Sequence, residues 1–156
     1  DAIASSLQDY IDQLTWKPDR ILMAFHGLPR EYLDKGDPYH CQCLKTTRLL
    51  RDRLGMDKDR LITTFQSRFG PQEWLQPYTD EVVVKLAKSG VKRLAMIAPG
   101  FSADCLETLE ELDVENREFF LSNGGERFAY IPALNDTPEG MRVIEAIVRR
   151  ELSGWM

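Results

Sequence analysis

Two segments of this 156-residue chain place ionisable side chains directly after apolar runs, where chemistry is most readily expected. In the first, His26 follows the apolar run of residues 20–25 and precedes Gly27 and Pro29, which turn the backbone away. An imidazole at the end of a buried strand is suited to proton transfer or metal ligation. The alternative is a neutral ring that packs and bonds a backbone carbonyl.

The second segment follows the apolar run of residues 93–99, where a Pro-Gly turn leads into an acidic helix predicted over residues 103–122. Ser102 is the expected N-cap and Asp104 lies in the first turn, both favoured by the positive end of the helix dipole. If the two runs are neighbouring strands, a base and a carboxylate share one cleft.

Carboxylates recur every four residues along this helix, at Glu107, Glu111 and Glu115. Like charges at that spacing cost about 0.2–0.5 kcal/mol per pair, and Arg117 is the only base between residues 102 and 123. Such a face suits cations or protons if another part of a larger protein covers it; an ordinary solvated face is the alternative. The apolar residues opposite are Cys105, Leu109, Leu112, Phe119 and Phe120.

The remaining histidine and the cysteines are not expected to form a metal site. His40 lies at the start of a predicted helix, where a polar ring can face solvent, and it is a weak candidate ligand. Cys41, Cys43 and Cys105 are too few for a four-thiolate zinc or iron-sulfur site. They are expected to be free thiols in a reducing compartment.

Alternating strands and helices must position these residues. Four apolar runs predict strands at residues 20–25, 60–65, 93–99 and 127–134. Helical patterns lie at residues 39–54, 79–89, 103–122 and 138–152. This alternation predicts right-handed crossovers and a Rossmann-like, three-layer α/β/α fold with a four-stranded parallel sheet. A long connection at residues 68–78 carries Trp74 between two prolines and is expected to be a binding loop.

The composition of the chain limits the kinds of partner that it can be expected to bind. The net charge of −5 and a pI near 5.1 argue against nucleic acid or an anionic membrane surface as the main partner. The apolar runs are shorter than a membrane span, so a soluble, intracellular single domain is expected. The chain starts at Asp1 within a helical apolar pattern, so we expect a piece of a longer protein.

In these motifs the chain resembles the ferrochelatases, which insert ferrous iron into a porphyrin to make haem. The matching blocks are residues 25–29, 36–39, 65–71, 74–77 and 99–115. The resemblance implies two similar lobes around a porphyrin cleft, of which residues 1–156 form the C-terminal lobe. The N-terminal lobe is then absent, and this lobe is expected to be inactive alone.

The resemblance also implies roles for individual residues. His26 and Glu107 match the family's pair on opposite sides of the macrocycle and are the expected catalytic and metal-binding residues. We expect His26 to accept pyrrole protons and Glu107 to help deliver iron. Glu111 and Glu115 would extend a relay to solvent. The expected substrate-binding residues are Trp74, Asp104, Glu111 and Glu115.

Two departures and three alternatives accompany the resemblance. Ala24 stands where the family usually has Ser or Thr, and no cysteine follows Cys105, so no iron-sulfur cluster is expected and iron is a substrate. A cobalt or nickel chelatase acting on an early tetrapyrrole is one alternative, although such relatives carry a second histidine where this helix offers Cys105 and Glu107. A coproporphyrin substrate is less favoured, and a non-catalytic metal-binding lobe is the third alternative. A cytoplasmic enzyme is expected, with peripheral membrane contact of the full-length protein left open.

Overall fold

The computed structural model describes residues 1–155, which form one parallel sheet and the helices around it. The strands are β1 (Arg20–His26), β2 (Leu61–Gln66), β3 (Arg93–Ile97) and β4 (Arg127–Ile131). The helices are α1 (Ala2–Gln13), α2 (Arg30–Asp34), α3 (Tyr39–Leu54), α4 (Thr79–Lys88), a π-helix (Glu107–Glu115), α5 (Asn116–Ser122) and α6 (Pro138–Glu151). All strand pairs are parallel, in the order β2–β1–β3–β4. The predicted α/β architecture is therefore confirmed.

Both faces of the sheet are covered, as the side chains of β1 show. Ile21, Met23 and Phe25 belong to a core formed with α1 and α3. Leu22 and Ala24 belong to a second core formed with α4, the π-helix and α5. Because successive side chains of a strand point to opposite faces, a strand buried on both sides has a continuous apolar sequence. This is why the strand runs could be recognised without any alternating pattern.

The acidic segment differs from the prediction. A single α-helix over residues 103–122 was wrong: the chain forms the π-helix and then α5. Ser102 was also wrong as the N-cap, because the residue that precedes the π-helix is Leu106, and no side chain caps the helix there. The helix begins later, where the N–H groups of Thr108 and Leu109 both bond to the Cys105 carbonyl oxygen.

The wider π-helical turn changes which residues the segment buries. Its hydrogen bonds join residues five apart rather than four, so each turn holds more residues than an α-helical turn. Residues spaced by four therefore stay on one face, and the buried residues are Thr108, Leu112, Asn116 and Phe120. Leu109 and Phe119, which were expected on the apolar face of an α-helix, lie outside the buried face and are exposed.

The last helix is mostly exposed. Gly140 is its one buried residue in the part of the chain described. Its exposed apolar side chains are Met141, Val143, Ile144, Ile147 and Val148. Among residues 1–155, no helix has the length and apolar character needed to cross a membrane.

Phe120 offers a test of the helix register. Its ring is fully buried and lies 6.2 Å from the Phe128 ring, centroid to centroid. Phe120→Ala should lower the free energy of unfolding by about 3–5 kcal/mol because it leaves a cavity in the core. Phe119→Ala, at the exposed neighbour, should cost less than about 1 kcal/mol. Urea unfolding measures both, and equal losses would contradict the register.

Candidate active site

The sequence-predicted residues converge where the winding of the sheet changes direction. In the sheet, β2 is the neighbour of β1 on one side and β3 is its neighbour on the other. The loops after β1 and β3 therefore diverge and leave a crevice at the carboxyl ends of these strands, where open α/β sheets bind ligands. His26 is the last residue of β1, and the segment leading to Glu107 follows β3.

The imidazole of His26 is held by its own backbone turn. Its Nδ1 lies 2.8 Å from the carbonyl oxygen of Gly27. Because a carbonyl oxygen can only accept, Nδ1 carries the hydrogen and donates it, which leaves the lone pair of the neutral ring on Nε2. The Tyr39 hydroxyl donates to the carbonyl oxygen of His26 (2.8 Å) and ties α3 to this strand end. The half-buried ring thus presents Nε2 as a base or metal ligand.

Glu107 begins the π-helix and is kept ionised by its surroundings. The Cys105 thiol donates a hydrogen bond to Glu107 Oε2, with 3.0 Å between sulfur and oxygen. This bond is the main reason that the pKa of Glu107 lies below its usual value, and a backbone hydrogen bond and the nearby His26 charge lower it further. At neutral pH the crevice therefore contains a carboxylate beside an imidazole.

Asp104 is fully engaged in hydrogen bonds. Its Oδ1 accepts from the Tyr130 hydroxyl (2.8 Å), the Thr108 hydroxyl (3.0 Å) and the Ala133 N–H (3.2 Å), and its Oδ2 accepts from Asn135 Nδ2 (2.9 Å). Burial raises the pKa of Asp104, but the hydrogen bonds outweigh it and leave the pKa below its usual value. The carboxylate joins the start of the π-helix to the chain after β4.

Glu111 and Glu115 continue the acidic stripe away from Glu107. Glu111 Oε2 accepts a hydrogen bond from the Ser67 hydroxyl, which is held after β2 by a left-handed backbone conformation (φ 64°). Glu115 is exposed to solvent. Both line a polar depression of about 380 Å³, together with Gln66 and Asn116.

The loop after β2 carries two aromatic residues, Phe69 and Trp74, that differ in exposure. Trp74 is 5% exposed, and its Nε1 donates to the carbonyl oxygen of Phe69 (3.0 Å). Phe69 is 75% exposed and lies against the indole ring, with 5.4 Å between ring centroids. Contact of Trp74 with a substrate stays a prediction, and Phe69 is the loop aromatic that reaches solvent.

The remaining candidates lie apart from the crevice or form no cluster. His40 stacks on Phe65, with 5.6 Å between ring centroids. Cys41 is exposed, while burial raises the pKa of the Cys43 thiol to about 11. Within residues 1–155, no three His, Cys, Asp or Glu side chains are arranged to hold a metal ion. Metal binding by His26 and Glu107 stays a prediction.

Gly27 lets the elements of the site approach one another. A Cβ atom at this position would lie 2.8 Å from the Gln66 carbonyl oxygen and 3.1 Å from Trp74 Cε3. Gly27→Ala should therefore separate the strand ends from the indole and cost about 1–3 kcal/mol. Gly100→Ala, whose Cβ would lie 3.6 Å from Phe25 Cδ1, is the control and should stay within about 0.5 kcal/mol. Urea unfolding compares them; equal effects would contradict the steric explanation.

Comparisons with known proteins agree with the motifs that suggested this site. A model of the ferrochelatase family matches residues 1–152. Relatives named ferrochelatase are 62% identical in Allorhizobium ampelinum and 60% identical in Rhizobium meliloti and Brucella ovis, each over all 156 residues. The chain spans 45%, 46% and 44% of the length of these relatives, respectively. The chain therefore belongs to the ferrochelatase family.

Proposed function

We propose that this chain is the C-terminal lobe of an enzyme that inserts Fe²⁺ into protoporphyrin IX. The observation that carries the proposal is that the His26 imidazole and the Glu107 carboxylate lie near enough at the sheet's switch point for the His26 charge to help lower the pKa of Glu107. Family membership supports the same reaction class. The activity is assigned to the full-length protein, because the chain covers less than half the length of its relatives.

Metallation requires a base, and His26 supplies one. The reaction releases two pyrrole N–H protons for each Fe²⁺ that enters the macrocycle, so the charge balances when both protons leave. Nε2 of His26 accepts a proton while Nδ1–H remains bonded to the Gly27 carbonyl oxygen. This bond fixes the ring orientation and stabilises the imidazolium that forms.

Glu107 supplies the anionic ligand in this proposal. Fe²⁺ accepts imidazole and carboxylate ligands, and a carboxylate already ionised at neutral pH can replace water on the ion without first losing a proton. Nε2 has one lone pair, so His26 can bind the metal only before it accepts a proton, whereas Glu107 can remain a ligand while the porphyrin nitrogens replace water. A site this open suits an ion that must be transferred rather than retained.

Residues around the pair complete the proposal. Glu111 and Glu115 lead from Glu107 to solvent and carry protons or hydrated cations along the helix. The macrocycle contacts the loop after β2, where Phe69 extends the apolar surface of Trp74.

The remainder of the full-length protein forms the second wall of the porphyrin cleft in this proposal. The share of the relatives' length that the chain leaves uncovered supports a second lobe. The apolar side chains exposed on α6 offer that lobe a surface to pack against. Porphyrin and ferrous iron are the substrates, and the proposal includes no resident cofactor or nucleic acid.

We place the enzyme in the cytoplasm, and three free thiols agree with a reducing compartment. Peripheral contact with a membrane would give the full-length enzyme access to its hydrophobic substrate.

His26→Ala in the full-length protein should reduce iron insertion by at least about 100-fold, because general-base catalysis contributes that much. The assay is anaerobic Fe²⁺ or Zn²⁺ insertion into protoporphyrin, followed by absorbance. His40→Ala is the matched control, since it removes the other histidine and should retain activity.

Glu107→Gln should also abolish insertion, whereas Glu110→Gln, at an exposed neighbour, should not.

Retained activity in His26→Ala would contradict the assignment of the base. Turnover with Co²⁺ and an early tetrapyrrole, without turnover of protoporphyrin, would favour the cobalt or nickel chelatase instead. Metal binding without any insertion by the full-length protein would favour a non-catalytic metal-binding role.

A further inference from the structure

We infer that Asp104 is a positioning residue that holds Glu107 toward the crevice, and that it neither binds substrate nor accepts its protons. This inference rests on the proposed function, because it assigns the means by which that function's carboxylate is oriented. Asp104 is the acidic residue nearest Glu107 in the segment before the π-helix. From the resemblance, it was expected to bind substrate.

The donors to Asp104 come from the chain at and after β4. The Tyr130 hydroxyl, the Ala133 N–H and Asn135 Nδ2 all point at its carboxylate. In return, the Asp104 N–H donates to Asn135 Oδ1 (2.8 Å), so the two residues are paired in both directions. These bonds join residues 26–31 positions apart and anchor the segment before the π-helix to the end of the sheet.

A short chain of hydrogen bonds runs from this anchor to Glu107. The Thr108 hydroxyl donates to Asp104 Oδ1 (3.0 Å) and accepts from the Cys105 N–H (3.0 Å). The Cys105 thiol in turn donates to Glu107 Oε2 (3.0 Å). Thr108 is fully buried, so the middle of this route is shielded from water, whereas Cys105 is partly exposed. Displacing Asp104 would therefore release the thiol that orients the Glu107 carboxylate.

The saturation of Asp104 argues against a direct role in the reaction. Three donors crowd Oδ1 and one binds Oδ2, so a proton or metal ion would have to compete with bonds already made to both oxygens. The same donors favour the ionised carboxylate, as the lowered pKa of Asp104 indicates. A carboxylate held in this way is suited to orienting its neighbours.

The test compares Asp104→Asn with the double variant Asp104→Asn/Asn135→Asp in the full-length protein. The single change puts an amide N–H where Asn135 already donates, so kcat for metal insertion should fall by about 10–100-fold. The porphyrin KM should change by less than about two-fold, because no substrate contact is lost. The double variant restores a donor facing an acceptor and should recover most of the lost kcat. Asp113→Asn, an acidic residue paired with Arg117 on the same helical segment, is the matched control and should retain activity.

A second pair of variants tests the last link without disturbing Asp104. Cys105→Ala removes the thiol that contacts Glu107 and should lower kcat by about 10-fold, whereas Cys105→Ser keeps a donor and should recover it. This pair decides the question if Asp104→Asn does not fold. Circular dichroism and thermal unfolding of every variant separate a loss of orientation from a loss of folded protein.

The inference is overturned if Asp104→Asn keeps full activity, or if it raises the porphyrin KM and leaves kcat unchanged. It is also overturned if the double variant folds but does not recover kcat, or if Cys105→Ala has the kcat of the unsubstituted enzyme. Glu107→Gln in the same assay distinguishes this failure from that of the proposed function. If Glu107→Gln is active, the proposed role of Glu107 fails; if it is inactive while Asp104→Asn is active, only the positioning role fails.

Discussion

The first strand in the chain, β1, lies in the interior of the sheet, between β2 on one side and β3 on the other. Loops that leave β1 and β3 must diverge, and the space between them cannot be filled by either crossover helix. This constraint decides where a ligand can enter before any particular side chain is considered. His26 and the segment leading to Glu107 lie there because they follow the two strands that flank the divergence.

The two acidic residues at the start of the π-helix region show how local bonding divides similar groups into different tasks. Asp104 and Glu107 both have pKa values below the usual range, yet for different reasons. Asp104 overcomes burial through donors fixed by the sheet. Glu107 is more exposed and depends mainly on a single thiol, so its carboxylate keeps free acceptor capacity toward the crevice. One carboxylate is therefore part of the framework and the other remains available to a ligand.

Sequence patterns were sufficient for the sheet and for placing His26 and the acidic segment at the carboxyl ends of its strands, but not for the details of the acidic helix. The strands were recognisable because burial on both faces makes them continuous apolar runs. The π-helix was missed because spacing by four residues fits an α-helix in the absence of tertiary information, and π-helices are rare. The bonds around Asp104 were also missed, since residues about 30 positions apart leave no periodic signal. Phe69 could have been noticed as an aromatic residue in the long loop, but only packing shows that it covers Trp74.

The hydrogen bonds that hold the Asp104 carboxylate depend on residues 130–135. Those residues belong to the last strand and the chain just after it, so the donors arrive only after the sheet has gained its final member. Closing such long-range contacts is slower than forming local helix, because the loop entropy must be overcome first. Without residues 130–135 in place, Asp104 would lack three of its four hydrogen-bond donors. The orientation proposed for Glu107 therefore depends on contacts that form only when residues 130–135 pack at the end of the sheet.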